Sequence, residues 1–244
     1  MVVNRVNNRY VGAASRPFTQ GWWGAHRLAA IRPWHPWFRP EWRYRANYWW
    51  RRATALGITG WFSYGWAEPI YYTYGDGGNV VYQDNSVYVN GQVACTAEEY
   101  YQQAETIAAD VPQITEQQAD TIEWLPLGVF AITKEGVNDS DYLLQLAVTK
   151  DGVIAGTLVN EATESVRPVE GRVDKETQRA AWHFVDGKNP EVVMETSIYS
   201  LTQDQCTALI HFGPDKTQQV VLVRIDEPKG SPEASAETSA ANEE

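Results

Sequence analysis

The pattern that most constrains the fold is a succession of eight short runs with a period of two, which begins at Leu127 and ends near Asp226. A period of two is typical of β-strands that bury one face. No segment between the runs is long enough to form a crossover helix, so the strands are expected to pair antiparallel. The predicted strands cover residues 127–134, 142–149, 153–159, 165–173, 178–185, 191–199, 206–212 and 218–226.

Eight antiparallel strands with short turns predict a meander barrel or a sandwich over residues 125–227. The barrel is favoured because its closure leaves no unpaired edge strand. The fold class is therefore expected to be mainly β.

The sequence of residues 69–124 indicates a small β-hairpin or meander followed by one amphipathic helix. Asn90-Gly91 suits a type I′ turn, whose central residues need positive φ, and it separates two β-prone runs. A hairpin or meander is expected over 79–95. Thr96 and Glu99 have the spacing of a capping box, which predicts a helix over 97–109.

The N-terminal arm, residues 1–68, differs from the rest of the chain in charge. Residues 1–60 contain ten arginines, no lysine and a single acid, Glu41, for a net charge of +9. The remaining residues carry −20, which gives the net −11 of the whole chain. Nine of the eleven tryptophans lie between Trp22 and Trp66.

Repeated X-Pro steps predict that the arm is largely irregular, because proline restricts its predecessor and lacks a donor. One short helix is expected over 42–56, with Gly57 as its C-terminal cap. At the other end of the chain, residues 228–244 are small, polar and acidic, and they are predicted to form a disordered tail.

The arm is the segment with the strongest indication of a binding role, since arginine stacks on tryptophan and grips carboxylate or phosphate. Three hypotheses stay open. The arm docks on an anionic envelope component, it packs on the acidic body of its own chain, or it binds single-stranded nucleic acid, which the net charge disfavours. The candidate interaction residues are Arg39, Trp42, Arg43, Arg45, Trp49, Trp50, Arg51 and Arg52.

No catalytic or cofactor motif accompanies these features. No serine lies in a G-x-S-x-G context and no H-E-x-x-H occurs, so we expect a non-enzymatic protein without a cofactor or metal. His183 and His211 lie on predicted strands, where packing is the commoner role. Cys95 and Cys206 lack ligand spacing and are interpreted as free thiols rather than one long-range bridge.

Two polar motifs are interpreted as turns. Residues 75–78, Gly-Asp-Gly-Gly, precede a β-run and have no lysine nearby, which favours a tight turn over a phosphate-binding loop. Residues 138–141, Asn-Asp-Ser-Asp, lack the spacing of a calcium loop.

The runs 69–93, 96–104 and 123–131 resemble a family of uncharacterised planctomycete proteins, some of which are labelled mu-protocadherin-like or cell-surface proteins. Members carry an Asn/Arg/Trp/His-rich region upstream of a tyrosine-rich hairpin. The resemblance implies export to the cell envelope and no established chemistry. The first ten residues are polar where a signal peptide is apolar, so either the protein stays inside the cell or its true start lies upstream.

Residues 151–157, 171–174 and 181–184 are similar to the strand pattern of avidin and lipocalin barrels. That likeness implies a barrel shape and no biotin site, because Trp182 is the only tryptophan after Trp124.

These features predict a cell-envelope or surface-associated protein without enzymatic activity. No run of about 18 apolar residues is present to encode a membrane-spanning helix. The alternative is a small-ligand-binding barrel. A lumen filled with apolar side chains favours the first function, and an open cavity with convergent polar groups favours the second.

Overall fold

A computed structural model describes residues 17–18, 22, 48–113, 121–137 and 139–227. Within these ranges the chain is mainly β, with a closed eight-stranded antiparallel barrel and a separate three-stranded sheet. In chain order the elements are α1 Ala55–Trp61, β1 Val80–Gln83, β2 Ser86–Val89, β3 Gln92–Thr96, α2 Ala97–Ala109, β4 Trp124–Thr133, β5 Tyr142–Thr149, β6 Val153–Asn160, β7 Ser165–Val173, β8 Arg179–Phe184, β9 Val192–Ser197, β10 Gln205–Phe212 and β11 Thr217–Ile225.

The barrel is an up-and-down meander formed by β4–β11. Each strand pairs antiparallel with the next, and β11 pairs back with β4. The predicted mainly β fold with an eight-stranded antiparallel barrel is therefore confirmed, in its closed form rather than as a sandwich.

The small sheet and α2 follow from local sequence signals. The turn at Asn90-Gly91 has φ angles of 53° and 77°, as a type I′ turn requires. At the start of α2 the Glu99 amide donates to Thr96 Oγ1 at 3.1 Å, and the Thr96 amide donates to Glu99 Oε2 at 2.8 Å. Both halves of the predicted capping box are present, and the helix has its predicted bounds.

One end of the lumen is closed by α1 and by a 3-10 helix, Ser200–Thr202. The side chains of Ile58 and Leu201 are fully buried against the strand residues of this end. The hydroxyls of Thr59 and Tyr199 lie 2.9 Å apart and link α1 to the segment between β9 and the 3-10 helix. Neither α1 nor α2 has the length and hydropathy needed to cross a lipid bilayer.

The predicted helix over 42–56 is wrong in its described part. Residues 48–50 form a 3-10 helix, residues 51–54 are not helical, and α1 begins only at Ala55. The physical reason is Thr54, whose Oγ1 accepts the Gly57 amide at 3.1 Å and caps the start of α1. Gly57 therefore lies inside the helix instead of ending it.

A glycine makes room for a buried arginine near the closed end. Arg224 donates from Nη1 to the Leu127 carbonyl at 2.9 Å and from Nη2 to the Leu201 carbonyl. Burial lowers the pKa of Arg224 to about 10. Gly128 lies at a β-bulge with φ of 124°, and a Cβ there would collide with Nη1 of Arg224.

Aromatic residues of the N-terminal arm cover the outer face of β4–β6 and β11. Trp49 and Trp50 are 2% and 3% exposed and pack with Phe18 against strand residues such as Leu143. The Tyr48 hydroxyl donates to the Trp124 carbonyl at 2.6 Å. In the described part of the arm, these aromatics pack on the barrel of the same chain.

Candidate functional site

The open end of the barrel contains a cavity of about 620 Å³, which we call the cup. It lies opposite the end closed by α1, among the segments that follow β4, β8 and β10. Pockets that bind small molecules have volumes of roughly 300–1,000 Å³. The cup is therefore large enough for one small organic molecule.

The wall of the cup is apolar and comes from six strands. The inward positions of β4, β6, β8, β9, β10 and β11 each contribute at least one such side chain, and these are Ile132, Leu158, Phe184, Met194, Ile210 and Val220. Below them the lumen is filled, and Trp182 is its largest fully buried side chain. Its register partner on β7 is Gly171, where a Cβ would collide with the backbone of Ala181 and Trp182. The lumen is thus packed in its lower part and open at the top.

A bidentate ion pair forms one side of the cup. Arg167 on β7 donates from Nε and Nη2 to the two carboxylate oxygens of Asp186, both at 2.8 Å. Its guanidinium lies 3.4 Å from the ring centroid of Phe184. Hydrogen bonds from Arg167 lower the pKa of the Asp186 carboxyl. Because its charge is already paired with that of Asp186, the Arg167 guanidinium contributes a flat, charge-compensated surface to the cup.

Two uncharged polar side chains at the cup are open to a ligand. The side chain of Gln218 lies on the inward face of β11, beside Ile210 of β10, and its amide is bonded to none of the described residues. The Tyr142 hydroxyl at the rim likewise has no hydrogen-bond partner within the described ranges. Together they supply donors and acceptors beside an apolar wall.

The rim of the cup carries exposed apolar side chains. Val137, Tyr142 and Phe212 are 44%, 45% and 39% exposed, and all three line the opening. Apolar residues that are grouped around an opening, rather than scattered, are typical of surfaces that become covered on binding.

Among the described residues, the rim of the cup carries one lysine, Lys134, and the carboxylates of Asp139, Asp141 and Glu191. The charge of Arg167 is compensated by Asp186.

A second polar cluster, the buried ion cluster of Arg179, Glu195 and His211, lies on the outer face of the barrel beneath α2. These side chains are 3%, 0% and 0% exposed. Arg179 Nε lies 2.7 Å from Glu195 Oε2, and His211 Nε2 lies 2.8 Å from Glu195 Oε1. His211 Nδ1 lies 2.9 Å from Thr217 Oγ1.

The buried ion cluster holds α2 to the barrel. Arg179 donates to Gln103 Oε1 at 2.9 Å and to the Tyr100 carbonyl at 3.2 Å, and it lies 3.9 Å from the ring centroid of Tyr100. Burial alone would raise the pKa of the Glu195 carboxyl, but the charge of Arg179 and the hydrogen bond from His211 outweigh burial, so the pKa lies below its ordinary value of 4.5.

The hydroxyl–imidazole–carboxylate order of Thr217, His211 and Glu195 has the composition of a hydrolytic triad. Its geometry does not favour that chemistry, because the imidazole is completely buried and the carboxylate is already compensated by Arg179. A general base must come within hydrogen-bond reach of the reacting group. We therefore interpret the cluster as a structural link between the barrel and α2.

The candidate interaction residues of the arm divide into three groups. Trp49 and Trp50 are buried, so their faces are covered by the barrel. Arg51 and Arg52 are exposed, and Arg52 Nη2 lies 3.0 Å from Asp204 Oδ1 of the acidic body. The residues that lie outside the described ranges are Arg39, Trp42, Arg43 and Arg45.

The other sequence motifs occupy turns and strands. Residues 75–78 form a turn in which the Gly78 amide donates to the Gly75 carbonyl at 2.9 Å. In the segment 138–141, Asn138 lies outside the described residues, and no group of three His, Cys, Asp or Glu side chains suited to a metal occurs in the part of the chain that the structure describes. Both cysteines, Cys95 and Cys206, are free thiols.

Sequence reasoning did not single out Gln218, Arg167 or Glu195. The strand prediction placed each on a strand, yet their roles depend on which face of that strand points inward.

Comparison with known proteins adds no relative: no protein-family model matches the chain, and neither a curated protein nor a solved structure shows significant similarity to it.

Proposed function

We propose that the protein binds one small, largely apolar ligand in the cup. The observation that carries the proposal is a preformed cavity of about 620 Å³ whose wall is apolar. Two polar groups that line it, the Gln218 amide and the Tyr142 hydroxyl, are unbonded among the described residues. Sites for small molecules combine these features, because apolar burial supplies affinity and a few polar groups fix orientation.

The filled lower lumen and the open top support this function over a purely structural barrel. Of the two functions that the sequence leaves open, the cavity favours the small-ligand binder. Binding of an anionic envelope component by the arm stays a prediction, because four of the eight candidate residues lie outside the described ranges. Location in the envelope, which the family resemblance implies, also stays a prediction.

The test is titration of the full chain with N-phenyl-1-naphthylamine, an uncharged apolar fluorophore whose emission rises in an apolar site. We expect saturable binding of one equivalent. Ile210→Trp places a larger side chain into the cup and should weaken binding at least about tenfold, which corresponds to about 1.4 kcal/mol.

Val93→Trp is the matched control, because Val93 is an exposed residue of β3 outside the cup. It should bind the fluorophore like the parent protein. Circular dichroism and thermal unfolding establish that both variants are folded. The proposal fails if the parent protein shows no saturable binding, or if a folded Ile210→Trp variant binds as tightly as the Val93→Trp variant.

A further inference from the structure

We infer that the cup selects an uncharged ligand that carries one hydrogen-bonding group, and that the side-chain amide of Gln218 binds this group. The inference rests on the proposed function, because it names the ligand class of the same site. Its evidence is the distribution of charge around the cup and the placement of the unbonded amide.

The apolar wall excludes an uncompensated charge from the interior of the cup. Transfer of an ion from water into an apolar cavity is costly unless an opposite charge meets it there. The described lining offers one inward-pointing cation, Arg167, and both oxygens of Asp186 already accept its hydrogen bonds. A ligand carboxylate or phosphate would have to compete with Asp186 for the charge of Arg167, and the lowered pKa of the Asp186 carboxyl keeps that carboxyl ionised.

The apolar wall disfavours a ligand cation for the same reason. Its inward side chains, such as Leu158 and Met194, offer no carboxylate to an ammonium group that enters the cup.

Gln218 is suited to an uncharged polar group. Its amide presents two N–H donors and one carbonyl acceptor, and it lies on the inward face of β11 between the rim and Val220. A ligand hydroxyl, amide or carbonyl that reaches this position can pair with it. Such a hydrogen bond favours the ligands that make it over those that do not, because an unpaired polar group in the cup loses its hydration without compensation.

The experiment is displacement of bound N-phenyl-1-naphthylamine from the full chain by 1-decanol, decanoate and decylammonium. The two ions are used below their micelle concentrations and 1-decanol is used below its solubility limit. At about pH 7 both ions carry full charge. The three compounds share one chain length and differ in the head group. We expect 1-decanol to displace the fluorophore at a concentration at least about tenfold lower than either ion requires.

Two variants test the role of Gln218 directly. Gln218→Leu should weaken 1-decanol binding about three- to tenfold, the effect of one neutral hydrogen bond, and Gln205→Leu is the control because Gln205 is an exposed residue outside the cup. Gln218→Lys adds an inward cation and should reverse the preference so that decanoate binds more tightly than 1-decanol.

The outcomes separate this inference from the proposed function. Absence of fluorophore binding overturns both. Saturable binding that Ile210→Trp abolishes, together with decanoate or decylammonium binding as tightly as 1-decanol, leaves the proposed function standing and overturns the uncharged ligand class. Equal 1-decanol binding by Gln218→Leu and Gln205→Leu overturns the role of Gln218.

Discussion

Removal of Arg179 from the buried ion cluster gives the sharpest test of how α2 is attached to the barrel. In Arg179→Met the carboxylate of Glu195 stays fully buried and loses both of its bonds to the guanidinium. The variant also loses the hydrogen bonds to Gln103 and to the Tyr100 carbonyl on α2. His211 alone remains beside the carboxylate.

The expected magnitude follows from the burial of both partners. Removal of one member of a fully buried ion pair costs about 3–5 kcal/mol, because an uncompensated charge is left behind. Arg172→Met is the matched control. Arg172 also contacts the end of α2, with Nε 3.3 Å from Asp110 Oδ2, but the Asp110 side chain is exposed, and such pairs contribute roughly 0–1 kcal/mol.

The free energy of unfolding is measured by urea denaturation, with tryptophan fluorescence and far-UV circular dichroism as parallel probes. Amide hydrogen exchange then locates the effect. We expect faster exchange in α2 in Arg179→Met than in Arg172→Met, because only Arg179 holds the first turns of the helix to the buried cluster. The residues of β4 and β5 should exchange as in the parent protein, since β4 lies opposite β8 in the closed barrel and β5 lies beside β4.

A double variant completes the test. Arg179→Met combined with Glu195→Gln leaves no buried charge in the pair, and the amide oxygen of the glutamine can still accept from His211. The double variant should therefore lose less stability than the two single variants lose in sum. Strict additivity, or a loss in Arg179→Met no larger than in Arg172→Met, would refute the reasoning.

Three further outcomes follow from the same structure. Gly128→Ala should lower the free energy of unfolding, measured by urea denaturation, by more than about 3 kcal/mol, because backbone strain at positive φ costs about 1–3 kcal/mol and the new Cβ also displaces Arg224. The control is Gly136→Ala, whose Cβ meets nothing, so that this variant should show the strain alone. Equal losses in the two variants would contradict the predicted collision with Arg224. Because folding lowers the pKa of Glu195, the ionised carboxylate contributes fully to stability above pH 4.5, the ordinary pKa, and this contribution is lost as the pH falls through the lower pKa of the folded state. The urea midpoint of Glu195→Gln should therefore depend less on pH in that acidic range than the midpoint of the parent protein does. Trp50→Ala should cost about 3–5 kcal/mol, and an unchanged midpoint would show that the tryptophan does not stabilise the barrel.

Much of the barrel could be predicted because its signals are local. Period-two runs and short turns define antiparallel strands without knowledge of their neighbours, and Thr96 with Glu99 defines the start of α2. The helix predicted over 42–56 is misplaced because a glycine can lie just after a helix or in its first turn. The sequence favours Gly57 as a C-terminal cap, whereas the Thr54 hydroxyl three residues before it supplies an N-terminal cap.

The packing of the arm aromatics on the outer face of the barrel is also indicated by the sequence, in the hydrophobic pattern of two strands. Two of the eight runs depart from the period of two. Residues 142–149 and 153–160, in β5 and β6, are apolar at most consecutive positions, which is typical of strands that are buried on both faces. Leu143 and Ala155 point outward and are buried by the arm cluster that includes Trp50.

The cup and the buried ion cluster could not be predicted from the chain alone. Glu195 and Gln218 are both polar residues of predicted strands, but Glu195 is fully buried whereas Gln218 lines the cup. Their environments depend on what packs against each face of the barrel, which is determined by eight strands and one helix together. The cavity volume likewise depends on side chains from all eight barrel strands, which no local pattern relates to one another.

The positions of the two ends of the barrel also determine how the protein can be tethered to a solid support or fused to another domain. The chain enters the first barrel strand at Trp124 and leaves the last at Ile225, both at the end that α1 closes. A tether or fused domain placed beyond either position would hold the barrel by its sealed base, with the cup directed away from the support. The segments between β4 and β5 and between β8 and β9 border the cup without joining it to either attachment point, so they could be diversified to change ligand preference in an immobilised sensor.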